Sequence, residues 1–309
     1  MRDPIKQGPD LDLKLRQTYI GSSEWAVVAG LHNAYKSPYD VYMEKVYGYE
    51  PFDNLRMRFG RDAEPMIAKW VEEELDVAVA VDGFVKFHPK HDFLATNLDG
   101  EIFHKDGSKS ILEIKTANSL ARQSWGAELP IQYYTQIQGQ MLITGLRKAY
   151  VAILTFGYAG PENFEIQEYD YNPEFAEMVV NKCVDFWYNH VAIQIAPDPS
   201  NAEDLKKMYP DSNGASMEAS IELKQQIEAL KELKSQKKDL EGSIKGLEVA
   251  IKSEMAGCEL ITFGEDTLAT WKSSKPRKVF DRGDFQKSNP DEYAKYVKES
   301  GVSRTFRLK

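Results

Sequence analysis

Asn97-Leu98-Asp99-Gly100 and Leu112-Glu113-Ile114-Lys115 are the two segments on which the reading of this chain turns. Ile111, Leu112 and Ile114 outline an apolar strand, and Glu113 and Lys115 interrupt it. Side chains alternate along a strand, so Glu113 and Lys115 share one face. Charges at both same-face positions of an apolar strand are costly unless they pair or bind something. Asp99 stands just before a turn glycine, fourteen residues ahead of Glu113. Two carboxylates make a hard oxygen site suited to Mg²⁺ or Mn²⁺. Lys115 can reach the same attacking water. Asp-Gly and Glu-x-Lys also fit a plain hairpin with a charged surface strand, so the neighbours must decide.

Other residues extend the constellation. Glu64 lies in Gly60-Arg61-Asp62-Ala63-Glu64-Pro65 at the start of an amphipathic helix, where an ordinary first-turn glutamate is the plain reading. Gln136 and Gln140 are spaced i, i+4 on one face of a helix expected over 130–144. Arg16 precedes Ser22 and Ser23, either of which can cap a short helix over 22–31, with Glu24 in its first turn. Free N–H groups at a helix start bind phosphate, and a nearby arginine strengthens such a cradle.

At 309 residues with net charge −9, the chain holds more than one structural unit. Through Pro197 it carries 19 basic and 28 acidic residues, and 20 of each thereafter. That balance argues against a generic nucleic-acid binder unless positive charge is concentrated locally. No apolar run is long enough for a membrane span and no secretory leader opens the sequence, so a cytoplasmic location is expected. Cys183 and Cys258 suit a reducing compartment and cannot supply a four-thiolate cluster.

Periodicity predicts helices over 37–49, 56–75 and 173–195, and strands over 77–87, 93–98, 110–116, 148–156 and 163–169. Ala196-Pro197-Asp198-Pro199 marks a boundary. Three regions follow: a core over 1–197, a linker and helical arm over 198–256, and a small α+β domain over 257–309. In the arm, Leu223, Leu230, Ile244 and Ile251 share one heptad position and Leu233, Leu240 and Leu247 the other, with Lys237 interrupting the seam. Leu260–Phe263 and Thr267–Trp271 read as a hairpin, followed by two short helices and a last strand over 303–308.

The ordered set of Arg16, Ile20-Gly21-Ser22-Ser23, Gly60-x-x-x-Glu64, Asp99-Gly100, Glu113-x-Lys115 and Tyr134-Thr135-Gln136-Ile137-Gln138 resembles the YqaJ-type viral recombinases. These are relatives of phage lambda exonuclease within the PD-(D/E)xK nuclease superfamily. The resemblance covers residues 14–195 or so. It implies an α/β restriction-endonuclease-like core, a mixed sheet flanked by helices with the metal site at one sheet edge. The coiled-coil-like arm and α+β terminal domain resemble an extension that some phage members carry.

The resemblance also implies roles. Asp99, Glu113 and the Ile114 backbone carbonyl would ligate metal, with Glu64 completing the site. Lys115 would orient or deprotonate the attacking water, and Gln136 would position Lys115 or the scissile phosphate. Arg16 and Ser23 would grip a 5′-terminal phosphate. A further basic contact of the family falls here on Asn33, with Lys36 as its substitute, and Leu98 replaces the proline of the superfamily name. The implied activity is a Mg²⁺- or Mn²⁺-dependent 5′-to-3′ exonuclease with two ions. It would degrade one strand of linear double-stranded DNA to 5′ mononucleotides. The 3′ overhang would pass to a single-strand annealing protein (RecT/Bet-like) in a bacterial host carrying the phage or prophage. A trimeric ring with a basic channel would reconcile the acidic net charge with DNA. The alternatives are an endonuclease or structure-specific nuclease of the same superfamily, and a non-enzymatic recombination adaptor.

Overall fold

A computed structural model describes residues 2–6, 13–31, 36–49, 54–81, 83–298 and 304–309. The chain forms two compact units, Met1–Met208 and Tyr209–Lys309. The first contains, in order, β1 (Ile5–Lys6), α1 (Leu13–Gln17), β2 (Ile20–Gly21), a 3-10 turn (Ser22–Glu24), α2 (Trp25–Val28), α3 (Pro38–Tyr47) and α4 (Leu55–Leu75). Next come β3 (Ala78–Ala80), β4 (Phe84–Phe87), β5 (Leu94–Thr96), β6 (Gly100–Phe103) and β7 (Lys109–Asn118). The unit ends with α5 (Ser119–Trp125), α6 (Ile131–Thr144), β8 (Lys148–Phe156), β9 (Pro161–Asp170), α7 (Pro173–Phe186) and α8 (Ala202–Met208).

Two sheets run through this mixed α/β unit, ordered β1-β4-β5-β2 and β3-β6-β7-β8-β9. In the second, β7 and β8 are parallel, and a parallel pair needs a crossover, which α5 and α6 supply. α4 covers one face, packing Ala63, Ile67 and Val71 on Leu112, Ile114 and Leu154. α6 covers the other, packing Ile137 and Met141 on Ile111, Val151 and Ile153. Burial on both faces explains the near-continuous apolar runs of β7 and β8. A third core joins Trp25 of α2, Val41 and Tyr42 of α3, and Val179, Cys183 and Phe186 of α7. Gly139 lets α6 meet α2 closely, since a Cβ there would lie 2.7 Å from the Trp25 ring.

The expected strand over 77–87 divides into β3 and β4, which belong to different sheets. Strand 93–98 shortens to β5, and the chain crosses to the other sheet before β6. Asn97, Leu98 and Asp99 therefore bridge two sheets. β7 is the middle strand of its sheet, and its pairing with β6 reaches only to Leu112. The helix expected to run to Ile195 ends as α at Phe186 and continues as a π-helical turn, Trp187–Val191. α5 and α8 are additions to the expected elements.

α8 also moves the boundary. Buried Asp204 accepts hydrogen bonds from Ser37 Oγ at 2.6 Å and Ser200 N–H at 2.9 Å. A carboxylate satisfied by Ser37 ties the segment beyond Pro197 into the first unit, which extends to Met208.

The second unit holds α9 (Ile221–Met255), a hairpin of β10 (Leu260–Phe263) and β11 (Asp266–Thr270), α10 (Arg282–Ser288) and α11 (Pro290–Tyr296). The strand expected over 303–308 is not formed in its described part, 304–308. β10 and β11 pair only with each other among the described residues. No helix among the described residues is long and apolar enough to cross a membrane.

Candidate active site

The site is built where β6 begins. β6 pairs with β7 only as far as Gly100 opposite Leu112. Past that point the Ile114 N–H donates to Asp99 Oδ2 at 2.7 Å. Asp99 is thereby fixed to the strand that carries Glu113 and Lys115. A strand residue sends its N–H and C=O to the same edge, so the Ile114 carbonyl opens on the Asp99 side as well.

On the α6 face, Glu113 is 1% exposed and fully engaged. The Lys115 ammonium donates to Glu113 Oε1, and to Gln136 Oε1 at 3.3 Å. Gln136 Nε2 donates to the same Glu113 oxygen at 2.7 Å. Gln140 Nε2 donates to Glu113 Oε2 at 2.6 Å and to the Asn97 carbonyl at 3.1 Å. The i, i+4 spacing on α6 thus brings both amides onto one carboxylate, and Gln140 also grips the segment that bridges the sheets. The Lys115 ammonium lies 4.9 Å from the centre of the Tyr133 ring, a cation–π contact.

Glu64 approaches from α4, on the opposite face. Burial and the Glu113 charge push its carboxyl up to about 7. Burial, with Glu113 adding to it, raises Asp99 well above the usual carboxylate range. Burial alone would depress Lys115, but Glu113 and Asp99 outweigh it and hold the ammonium above its ordinary value. Three carboxyl groups therefore face one lysine, and the raised values of Asp99 and Glu64 reflect more acidic groups than Lys115 alone balances. Among the described residues no three His, Cys, Asp or Glu side chains gather as a ready metal-binding group, and Glu113 is turned onto Lys115 and the glutamines. The donor chemistry fits a divalent cation: Asp99, Glu113, Glu64 and the Ile114 carbonyl are the oxygens that could hold it.

A second charged cluster surrounds Glu24. Its Oε1 lies 2.6 Å from Lys36 Nζ and 3.9 Å from Arg16, and its Oε2 lies 2.8 Å from Lys45 Nζ. Lys36 also pairs with Glu44 at 2.6 Å. Buried Lys45 donates to the Arg16 carbonyl at 3.1 Å, which ties α3 to α1. Burial would raise Glu24, but Lys36, Lys45 and Arg16 outweigh it and hold its carboxyl well below the usual range. Three cations against two carboxylates leave positive charge over.

The cap of the short helix differs from the expected one. Gly21 is the N-cap, its N–H donating to Glu24 Oε2 at 2.9 Å. Ser22 is buried against Thr96, with their hydroxyls 2.6 Å apart, and Ser23 is exposed.

The structure thus joins Asp99, Glu113, Ile114, Lys115 and Gln136, with Glu64 within electrostatic reach, and gathers Arg16 and Lys36 around Glu24. Asn33 lies outside the described residues. Gln140 is as closely engaged as Gln136, and its i, i+4 spacing is the signal for it. Nothing local to Glu24 or Lys45 signals their pairing, because their partners come from three different elements.

Residues 13–147 match the model of the YqaJ-like viral recombinase domain. The chain is 29% identical over 300 residues to the uncharacterized protein YqaJ of Bacillus subtilis (strain 168), covering 94% of this chain and 91% of that protein. Among solved structures it is similar to the alkaline exonuclease LHK-Exo of Laribacter hongkongensis, with TM-score 0.48 and 18% identity over 63% of this chain and 94% of that one. A phage related exonuclease from Haemophilus somnus 129PT matches with TM-score 0.43 and 12% identity, over 57% of this chain and 94% of that one.

Proposed function

We propose that the first unit is a divalent-metal-dependent 5′-to-3′ exonuclease. It digests one strand of linear double-stranded DNA to 5′ mononucleotides and leaves a 3′ overhang for a single-strand annealing protein. The observation that carries this reading is the meeting of Asp99, Glu113 and Lys115 at the point where β6 begins. The match of residues 13–147 to the YqaJ-like viral recombinase domain agrees with it.

Asp99, Glu113, Glu64 and the Ile114 carbonyl would hold Mg²⁺ or Mn²⁺, which would supply Lewis acidity and a water of lowered pKa. Lys115 places positive charge where negative charge develops on the phosphate. Gln136 orients Lys115 and Glu113 together through its two amide atoms. Gln140 fixes the other Glu113 oxygen. Arg16 and Ser23 receive the 5′-terminal phosphate. Lys36 contributes through Glu24 and Glu44, which already hold its ammonium.

The test compares linear duplex carrying 5′-phosphate, linear duplex carrying 5′-hydroxyl, and covalently closed circles, each with Mg²⁺ and with chelator. Mononucleotide release from the phosphorylated linear duplex alone, abolished by chelator, is the expected outcome. Undigested linear duplex sinks the proposal. Circles cut as fast as linear DNA make the protein an endonuclease built on the same residues.

A further inference from the structure

The second unit contains a helix whose apolar seam has no cover of its own. α9 spans 35 residues, roughly 50 Å at the α-helical rise, and Met255 is its one buried residue. Leu233, Leu240, Ile244, Leu247 and Ile251 are exposed, Leu240 and Leu247 by 63% and 66%. Gly242 and Gly246 weaken the helix further. Helices in proteins are stabilised mainly by packing an apolar face, and a seam repeating every seven residues is a coiled-coil seam.

We propose that α9 pairs with α9 of a second copy of this chain as an antiparallel coiled coil. The register follows from the sequence. Placing Leu230 against Leu247 of the second copy sets Ile244 against Leu233, Lys237 against Leu240 and Leu223 against Glu254. The two-fold axis then passes between Lys238 and Asp239. Lys238 is also the midpoint of Ile221–Met255, so the two helices overlap along their whole length.

Charge selects this orientation over the parallel one. A parallel, in-register pair would stack Lys237 on Lys237 and Glu254 on Glu254 within the seam, and like charges facing each other are destabilising. The antiparallel pair faces each with leucine, against which the lysine stem can lie while its ammonium reaches water. It also brings Lys234 beside Glu241 of the second copy, twice by symmetry. Glu241 already stands 3.6 Å from Lys237 of its own helix, so it can bridge two lysines. On the other flank only Ala229, Gln236, Ser243 and Ala250 meet, none of them charged. This pairing does not depend on the nuclease reading.

Full-length protein in a Cys258→Ser background provides the test. Under mild oxidation, Leu230→Cys combined with Leu247→Cys is expected to give a covalent dimer, and either change alone none. Cross-linking by Leu230→Cys alone means parallel pairing and overturns the proposal. In light scattering, Ile244→Asp, which puts a carboxylate against Leu233 of the second copy, is expected to halve the particle mass with unchanged circular dichroism in the first unit's melting transition. A mass equal to that of the unsubstituted protein overturns it. Lys234→Glu is expected to weaken association about tenfold, and adding Glu241→Lys to restore it. Failure of that rescue rejects the assigned register.

Discussion

Glu113 and Glu24 are both buried glutamates that face lysine, at 1% and 3% exposure, yet their surroundings suit opposite ligands. Around Glu113, Asp99 and Glu64 crowd two further carboxyls against a single Lys115, and both are pushed up. Around Glu24, Arg16, Lys36 and Lys45 exceed Glu24 and Glu44, and the Glu24 carboxyl is held down. A buried glutamate therefore carries no function by itself. The sign of the charge left over in its shell decides whether the place favours a cation or an anion. In this chain the two kinds of shell are built into one unit.

That contrast can be broken most strongly at Glu24. Glu24→Gln leaves buried Lys45 without its counter-charge and should destabilise the first unit by about 3–5 kcal/mol, read from urea unfolding. Unchanged stability would mean the cluster is not an ionic clamp. Lys115→Ala should lower mononucleotide release from linear duplex by roughly 10²–10³-fold while a gel shift still detects duplex binding. Binding lost in parallel with cleavage would place Lys115 in DNA holding instead. Arg16→Ala tests the surplus positive charge more gently. The preference for 5′-phosphate over 5′-hydroxyl ends should narrow by roughly tenfold, the worth of one charge-assisted hydrogen bond.

The smallest effect is a pH dependence. Glu24 has a folded value well below its ordinary 4.5. Its ionisation therefore stabilises the fold fully above pH 4.5 and is lost as pH falls from there through the lowered value. The stability gap between the unsubstituted protein and Glu24→Gln should stay constant from pH 7 to 5 and shrink only below 4.5. A gap that closes already near pH 6 would assign the clamp to another group.

Much of the Glu113 site is legible locally. Charges at alternating positions of an apolar strand announce themselves, and the i, i+4 glutamines of α6 point to one face. Which amide matters more is not legible: Gln136 and Gln140 both reach Glu113, and Gln140 does so from full burial. The division of 77–87 between two sheets is hidden because both halves have strand-like composition. The Pro197 boundary is misleading because the cap on α3, Ser37, also binds Asp204 from far along the chain. A terminal strand over 303–308 reads well by composition, but its described part, 304–308, is not a strand.

By itself the sequence determined the residue types, their alternation and their order: Asp99 before a turn glycine, Glu113 and Lys115 on one strand, Glu64 and Gln136 on helices, and a heptad seam in α9. Such local patterns survive because strand and helix geometry have fixed periods. Only the tertiary structure decided that β6 begins at Gly100 opposite Leu112, that Asp99 takes the Ile114 N–H beyond that pair, and that Glu24 rather than a serine is the hub of the basic cluster. Those are contacts between elements distant in sequence. Their charge balance depends on who shares the buried volume, which no local window contains.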